Sequence, residues 1–395
     1  MAPNLPATAV AEAVGDGWRQ VSAQSTVQAL PMSDGGPGLL EAIHHAHGGE
    51  LMPVTVTQPF GAGLATEAGV PQQLPASILL LPGHHGGTAV ISGDQVIGEA
   101  VVEARAASRA AQVGSSRGLG RLLASALDTG ASRIVIGLGA AASHDAGFGM
   151  AAELLIHREV TSAVPESFHG GNDGLRGLVA HELTGLLQLR HQLADRDIVV
   201  AAATDRPLFG LSGSGAALAQ RQGISAHRAQ ELDQVLNQAC ALLDVHLPQP
   251  TATLPQLAAH HPTPRGSGRH AGSGAGGGAA VMLTTLGARL LPGAQVAATM
   301  VELPAHLSRC DVVITTCDTL DPLTLHDSTV AAVASAAAQA AVPVVVLAKV
   351  VLASRREMAA AGVVAAYETG ELPPQPLPVL QQWGSRLART WGRTA

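Results

Sequence analysis

The chain has 395 residues, 47% of them hydrophobic, which is enough to fill the cores of two domains. Its formal net charge of −7 argues against nucleic acid or an anionic membrane surface as a partner, since either requires a basic surface. Its 3 cysteines are too few and too scattered for a disulfide framework or a zinc knuckle, which fits a reducing compartment. No apolar run approaches membrane-spanning length and no export signal is recognisable, so we expect a cytoplasmic protein that acts on small molecules.

The first hundred residues predict a helix, an acidic glycine loop and a group of antiparallel strands. Apolar residues at helical spacing predict a helix over 7–20. An expected strand over 27–30 runs into the loop 31–38, which reads Pro-Met-Ser-Asp-Gly-Gly-Pro-Gly. Residues 51–98 contain short alternating runs separated by turn residues, which is typical of antiparallel strands inserted into another domain.

Beyond residue 98, helical patterns alternate with apolar runs, as in a parallel α/β sheet. The run that begins at 133 breaks abruptly into glycine and small residues, which predicts a buried strand followed by a loop. The Pro-, His- and Gly-rich segment 247–278 predicts a mobile crossing between domains. The strands expected to be parallel are 27–30, the run that begins at 133, 198–203, 311–315 and 342–347.

Each of these strands is followed by residues that can do chemistry. Because parallel strands present ligands at their carboxyl ends, we expect one shared site with clustered carboxylates. Such a cluster suits Mg²⁺ and phosphoryl transfer to a hydroxyl group, although an acid after a strand is also a common helix N-cap. In chain order the residues are Asp34; Ser143 and Asp145; Asp205; Asp318 and Asp321; and Lys349, the only lysine of the chain.

Three familiar site classes are disfavoured. The pair Gly137 and Gly139 lacks the third glycine of a dinucleotide fingerprint, because Ala142 stands there. No Gly-Lys-Ser/Thr is present, which excludes a Walker-type phosphate loop. The histidine pairs, such as His84-His85 and His260-His261, have no metal-binding spacing and are interpreted as solvated loop residues.

Taken in order, the loops resemble those of the bacterial glycerate kinase family. The segment 31–38 is similar to the family's Pro-Met-Ala-Asp-Gly-Gly-Glu-Gly, and 115–118 to its Thr-Ser-Tyr-Gly. Residues 139–147 resemble its Gly-Gly-Ser-Ala-Thr-Asn-Asp-Gly-Gly loop, and 204–208 its Val-Asp-Asn-Pro-Leu. The signatures at 286–293, 311–315, 320–321 and 324–326 follow in the family's order and spacing, so the resemblance covers nearly the whole chain.

The resemblance implies a two-domain α/β fold. We expect a Rossmann-like, mostly parallel sheet domain and a second, inserted α/β domain containing antiparallel strands. The first would comprise 1–50, 99–210 and 305–395, and the second 51–98 and 211–304.

It also implies ATP-dependent phosphorylation of D-glycerate to a phosphoglycerate, with Mg²⁺. Asp145 and Asp205 are the expected catalytic and metal-binding residues. The expected substrate-binding residues are Asp34, Ser143, His144 and Arg206. The expected cofactor-binding residues are Gly137, Gly139, Asp321, His326 and Lys349. Neither nucleic acid nor a membrane is expected as a partner, and assembly as a homo-oligomer is left open.

The chain departs from the family pattern where phosphate would be handled. The family opens with Asp-Ser-Phe-Lys-Gly, for which the first residues show no counterpart. Its Gly-Ser becomes Ala140-Ala141, its Asn becomes His144, and two lysines become Gln222 and Ser328. Because replacing a lysine by Gln or Ser removes positive charge where negative charge would be transferred, a second hypothesis is a catalytically inactive homologue that acts as a binding or assembly protein.

Overall fold

The computed structural model describes residues 5–83, 86–220, 223–247 and 266–392. Gln222 and the pairs His84-His85 and His260-His261 lie outside these ranges, as does most of the expected crossing 247–278. None of the described helices has both the length and the apolar composition needed to cross a bilayer.

The described residues form an α/β protein, as the sequence predicts. The strands are β1 Glu50–Thr57, β2 Gln73–Leu81, β3 Thr88–Ser92, β4 Arg133–Leu138, β5 Asp197–Ala202, β6 Arg289–Pro292, β7 Val313–Leu320, β8 Val344–Val351 and β9 Val363–Glu368. The helices up to residue 174 are α1 Ala7–Val21, α2 Leu39–His47, α3 Asp94–Ile97, α4 Ala104–Val113, α5 Arg117–Asp128, α6 Phe148–His157 and α7 Gly171–Gly174. The later ones are α8 Thr184–Leu193, α9 Ser214–Ala217, α10 Ala226–His246, α11 Ala279–Thr285, α12 Gly293–Met300, α13 Leu303–Leu307, α14 Thr329–Gln339, α15 Arg355–Ala360 and α16 Leu377–Trp391.

The chain divides into two compact units whose boundaries differ from the expected domains. Unit 1 contains Met1–Asp34, Gly38–Gly48 and Ala294–Ala395, and unit 2 contains Gly35–Pro37 and Gly49–Gly293. Residues 99–210, expected to join the first domain, therefore belong with 51–98. The physical reason is that β3, from the expected insertion, is hydrogen-bonded in parallel to β4, so the two segments share one sheet.

Unit 2 is built on a mostly parallel sheet of six strands in the order β1-β2-β3-β4-β5-β6. β1, β2 and β3 pair antiparallel, as expected for 51–98, whereas β3 to β6 are parallel neighbours. The central strands are mostly apolar and are buried beyond their first residue, as in Ile134 to Ile136. This burial is what a sheet covered on both faces requires.

Unit 1 has a separate parallel sheet of three strands in the order β7-β8-β9. The expectation that all five predicted strands share one sheet edge is therefore wrong. β4 and β5 belong to the sheet of unit 2, and β7 and β8 to that of unit 1. Local sequence patterns identify strands but do not determine which strands pair, and that is why the split was not predicted.

Two further expectations differ from the structure. Residues 27–30 form no strand, because no described strand pairs with them and an extended apolar segment becomes a strand only through hydrogen bonds to a neighbour. Residues 267–269 and 275–278 form short 3₁₀ turns, and most of 267–278 is buried. The described part of the expected mobile crossing is thus a packed element of unit 2.

Within unit 1, α1 and α16 pack so closely that their backbones touch at glycines. A Cβ at Gly17 would overlap the carbonyl oxygen of Gln381, and one at Gly384 would overlap that of Val14. Reciprocal glycines on both helices therefore permit this contact. The side chain of Ser385 adds a hydrogen bond to the carbonyl oxygen of Gly17, at 2.7 Å.

We expect Gly17→Ala to lower the free energy of unfolding of unit 1 by about 1–3 kcal/mol, the usual penalty for overfilling a packed contact. Tryptophan fluorescence during urea unfolding measures this selectively, because all 3 tryptophans lie in α1 and α16. Gly63→Ala is the control, since a Cβ there meets no atom within 4 Å. Equal unfolding midpoints for Gly17→Ala and the wild type would contradict the packing argument.

Candidate active site

The candidate site of unit 2 is the loop that connects β4 to α6, at the carboxyl end of the parallel strands. Gly137 is still part of the sheet: it pairs with Ser92 of β3 and Ala201 of β5, and its carbonyl accepts a hydrogen bond from Gly93 at 2.8 Å. Gly139 opens the loop, and a Cβ there would lie 2.6 Å from Oδ1 of Asp94. Glycine at 139 thus lets the carboxylate of the first residue of α3 approach the loop backbone.

Asp145 is buried in the loop and is held by four hydrogen bonds. Its Oδ2 accepts from the backbone N–H of Ser116 at 2.7 Å, from Oγ of Ser116 at 3.0 Å and from the N–H of Gly149 at 3.1 Å. Its Oδ1 accepts from the N–H of Gly147 at 3.1 Å. Ser116 and Gly147 directly precede α5 and α6, and Gly149 is the second residue of α6, so one carboxylate accepts hydrogen bonds at two helix N-termini.

Both oxygens of Asp145 are therefore already used within the protein. Burial raises the pKa of this carboxyl above its ordinary value, and the hydrogen bonds from Ser116, Gly147 and Gly149 oppose the rise. In this geometry Asp145 orders the loop and the two helices through hydrogen bonds to both of its oxygens.

We expect Ser116→Ala to destabilise unit 2 by about 1–3 kcal/mol, because a buried hydrogen-bonding group loses its partner. The Oγ of Ser116 donates to Asp145 and accepts from the N–H of Met150 at 2.9 Å, so the substitution removes two bonds. Hydrogen exchange of a peptide covering 143–152 should accelerate. Ser125→Ala is the matched control, since its hydroxyl bonds only the carbonyl of Arg121 within α5. Unchanged exchange in Ser116→Ala would refute the role given to this hydroxyl.

Ser143 brings unsatisfied polar groups into the loop. Its side chain is fully buried and its Oγ has no hydrogen-bond partner within the described part of the chain. The backbone N–H groups of Ser143 and Asp145 also have no hydrogen-bond partner among the described residues. Buried donors without acceptors are rare in folded proteins, so these three groups are the local feature that most clearly suits an oxygen-rich ligand.

A run of three left-handed glycines packs against the same loop and was missed by the sequence analysis. Gly276, Gly277 and Gly278 have φ of 63°, 64° and 88°. A Cβ at Gly277 would overlap the carbonyl of Ser143, and the carbonyl of Gly277 accepts a hydrogen bond from Ala146 at 3.2 Å. The available signal was a glycine run that leads directly into the apolar helix α11, which a flexible linker would not do.

Asp205 and Arg206 follow β5 and are exposed. Among the described residues, the carboxylate of Asp205 has no hydrogen-bond or ion-pair partner, whereas its backbone carbonyl accepts from the N–H of Gly272 at 2.9 Å. The loop that carries Asp205 is therefore hydrogen-bonded through its backbone to the segment 266–278, while the carboxylate of Asp205 is free to bind a ligand.

Four of the expected site residues belong to unit 1, namely Asp34, Asp321, His326 and Lys349. Asp34 and His326 are exposed. Asp321 accepts hydrogen bonds from the N–H and Oγ1 of Thr324 at 2.8 and 2.9 Å, and these bonds lower the pKa of its carboxyl. Lys349 forms an ion pair with Glu371, 3.3 Å between Nζ and Oε2.

Ser328, which stands where the family has a lysine, is the N-cap residue of α14 in unit 1. Its Oγ accepts from the N–H groups of Val330 and Ala331, at 3.0 and 3.4 Å, and so caps α14. No group of three or more His, Cys, Asp or Glu side chains able to hold a metal ion occurs among the described residues.

The carboxyl group of Asp233 in α10 lies against Gly215 of α9. Its Oδ1 is buried and has no hydrogen-bond partner among the described residues, and a Cβ at Gly215 would overlap it. Burial raises the pKa of this carboxyl to about 6, and the charge of Arg269 lowers it. The folded protein therefore binds a proton here more readily than the unfolded chain does.

We expect Asp233→Asn to become increasingly stabilising as the pH rises from about 4 to 7. The wild type must ionise a half-buried carboxyl in this range and loses stability as the pH passes its raised pKa, whereas the amide carries no charge. Thermal unfolding of both proteins over this range measures the difference. Asp195→Asn is the control, because its side chain is 78% exposed. A difference in Tm that does not change with pH would refute the argument.

Comparison with known proteins identifies the family of the chain. The model of the glycerate kinase family matches residues 2–395. The chain belongs to the glycerate kinase family. It is 28% identical to glycerate 2-kinase of Escherichia coli K12 over 333 residues, 84% of this chain and 78% of that protein. It is 27% identical to a glycerate kinase of Halalkalibacterium halodurans, over 84% of this chain and 79% of that protein.

The structural comparison agrees with this family membership. A crystal structure described as that of a candidate glycerate kinase 2 from Salmonella typhimurium LT2 superposes with a TM-score of 0.71 at 26% identity. The match covers 98% of this chain and 94% of that one. The family resemblance read from the loop motifs is therefore confirmed, together with the α/β fold that it implies.

Proposed function

We propose that the protein transfers phosphate from ATP to a hydroxyl group of D-glycerate, as the names of its relatives suggest for them. The observation that carries the proposal is the loop after β4, whose Ser143 Oγ and whose N–H groups at Ser143 and Asp145 have no partner within the described chain. Donors of this kind suit the carboxylate or hydroxyl oxygens of glycerate, or a phosphate oxygen.

The hydrogen bonds of the two acids support different roles for them. Asp145 holds α5 and α6 with both oxygens and so acts as a positioning residue. Asp205 is the acid whose carboxylate is available, and it is the proposed residue that orients the glycerate hydroxyl or binds Mg²⁺. Arg206, beside it, is the proposed partner for the carboxylate of glycerate.

The residues fit a metal ion that arrives with the nucleotide and do not fit a site formed by protein groups alone. Mg²⁺ commonly uses one or two carboxylates and completes its shell with phosphate oxygens and water. One available acid, Asp205, meets that requirement even though the described residues hold no metal-binding cluster. When bound, Mg²⁺ would neutralise charge on the phosphates.

The cofactor residues of unit 1, namely Asp321, His326 and Lys349, remain predicted ATP contacts. Because the proposed reaction consumes ATP, the cytoplasm is the proposed location.

We expect the purified protein to phosphorylate D-glycerate in a coupled assay that follows ADP, and Asp205→Asn to lower kcat/KM roughly 100-fold, as loss of a charged group at a reacting centre commonly does. Asp195→Asn should leave activity unchanged, because it is an exposed acid outside the site.

No turnover at high enzyme concentration would refute the kinase proposal. Calorimetry then decides the second hypothesis: binding of Mg-ATP or D-glycerate without turnover would support an inactive homologue that has kept a binding role.

A further inference from the structure

Asn172 of α7 is a fully buried polar residue for which neither the sequence patterns nor the proposed chemistry accounts. Its Nδ2 donates to the backbone carbonyl of His144 at 3.0 Å and to that of Leu232 at 3.2 Å. The first carbonyl belongs to the site loop and the second to α10. One amide group therefore ties the loop to the longest helix of unit 2.

The carbonyl oxygen of the Asn172 side chain, Oδ1, indicates that the residue is needed as a hydrogen-bond donor. Both partners are carbonyl oxygens, which fixes the orientation of the amide and turns Oδ1 away from them. Oδ1 is buried and has no hydrogen-bond partner among the described residues. An apolar side chain of similar size would avoid this penalty, so the two donated bonds are what the residue supplies.

The geometry of the His144–Asp145 peptide group links the hydrogen bond from Asn172 to the site. The bond between His144 and Asp145 is trans, since the described chain contains no cis peptide. In a planar trans peptide the N–H points opposite to the C=O. When Asn172 holds the carbonyl of His144 toward α7 and α10, the N–H of Asp145 must point away from them. This N–H is one of the buried donors without an acceptor.

We infer that Asn172 is a positioning residue: its amide fixes the plane of the His144–Asp145 peptide and thereby aims the Asp145 N–H donor of the loop. The ligand that this donor would meet is an anionic or hydroxyl oxygen of the substrate. Only this last statement rests on the proposed function, since the orientation of the peptide is a property of the chain itself.

Asn172→Asp tests the inference, because it keeps the size of the side chain and changes its donors. An ionised carboxylate would face two carbonyl oxygens and repel both, whereas the protonated acid can donate to one of them. We expect hydrogen exchange of a peptide covering 143–150 to be faster than in the wild type at pH 8. We also expect the ratio of the exchange rate in Asn172→Asp to that in the wild type to return toward one at pH 5.5.

The matched control is Asn237→Asp, the same chemical change at an exposed position of α10. It should leave exchange in 143–150 unchanged. Exchange of a peptide from the buried strand β4 measures global stability in each variant. If Asn172→Asp accelerates β4 as much as the loop, or accelerates neither, the positioning role is refuted. If the loop responds alone and the response reverses at low pH, the role is supported.

Activity supplies a second readout. In an active enzyme, Asn172→Asp should lower kcat/KM for glycerate roughly 10- to 100-fold at pH 8, the size of effect expected when a binding group is misaimed by a fraction of an ångström. Acidification should recover part of the loss relative to the wild type at the same pH. If the wild type does not phosphorylate glycerate, the proposed function fails while the exchange experiment still decides the role of Asn172.

Discussion

A single carboxylate organises the candidate site. Asp145 accepts hydrogen bonds from donors at the start of α5 and at the start of α6, so the positive ends of two helices meet at one negative charge. Helix N-termini of this kind often bind phosphate from outside the protein. Here the chain supplies its own anion. The loop that follows β4 is therefore held in place at Asp145, and the positions of its donors depend on this residue.

The loop around this anchor carries backbone strain that its surroundings maintain. Ala146 has φ of 51°, in the left-handed region that non-glycine residues rarely adopt, and it is fully buried. The carbonyl of Gly277 accepts its N–H, the carbonyl of Ser143 lies against Gly277, and Asn172 holds the carbonyl of His144. Three separate contacts thus stabilise a conformation that the loop sequence alone would not favour. A preorganised loop of this kind can keep donors aimed at a ligand before the ligand arrives.

Much of this arrangement could be predicted from the sequence, and the remainder depends on contacts between distant residues. The apolar run before Gly137 and the sudden change to small residues predict β4 and its loop correctly. The same pattern cannot tell whether Asp145 faces a ligand or a helix end, because its donors at Ser116 lie 29 residues away in the chain. The composition around 276–278 predicts a linker, because glycine-rich composition is equally typical of flexible segments and of tight left-handed turns. The division into two sheets was missed for a related reason: strand order depends on which faces pack together, and local periodicity does not contain that information.

The close contact between α1 and α16 has a consequence for how the chain is made. Unit 2 is almost continuous, from Gly49 to Gly293, so nearly all of it has left the ribosome before the last hundred residues are translated. Unit 1 joins the earliest helix to the latest one, and Gly17 and Gly384 can meet only when α16 has been synthesised. The apolar face of α1, with Val10, Val14 and Trp18, must wait through the synthesis of the whole intervening unit. During translation the apolar face of α1 therefore stays without its partner helix until α16 has been made, and exposed apolar surface of this kind favours premature association.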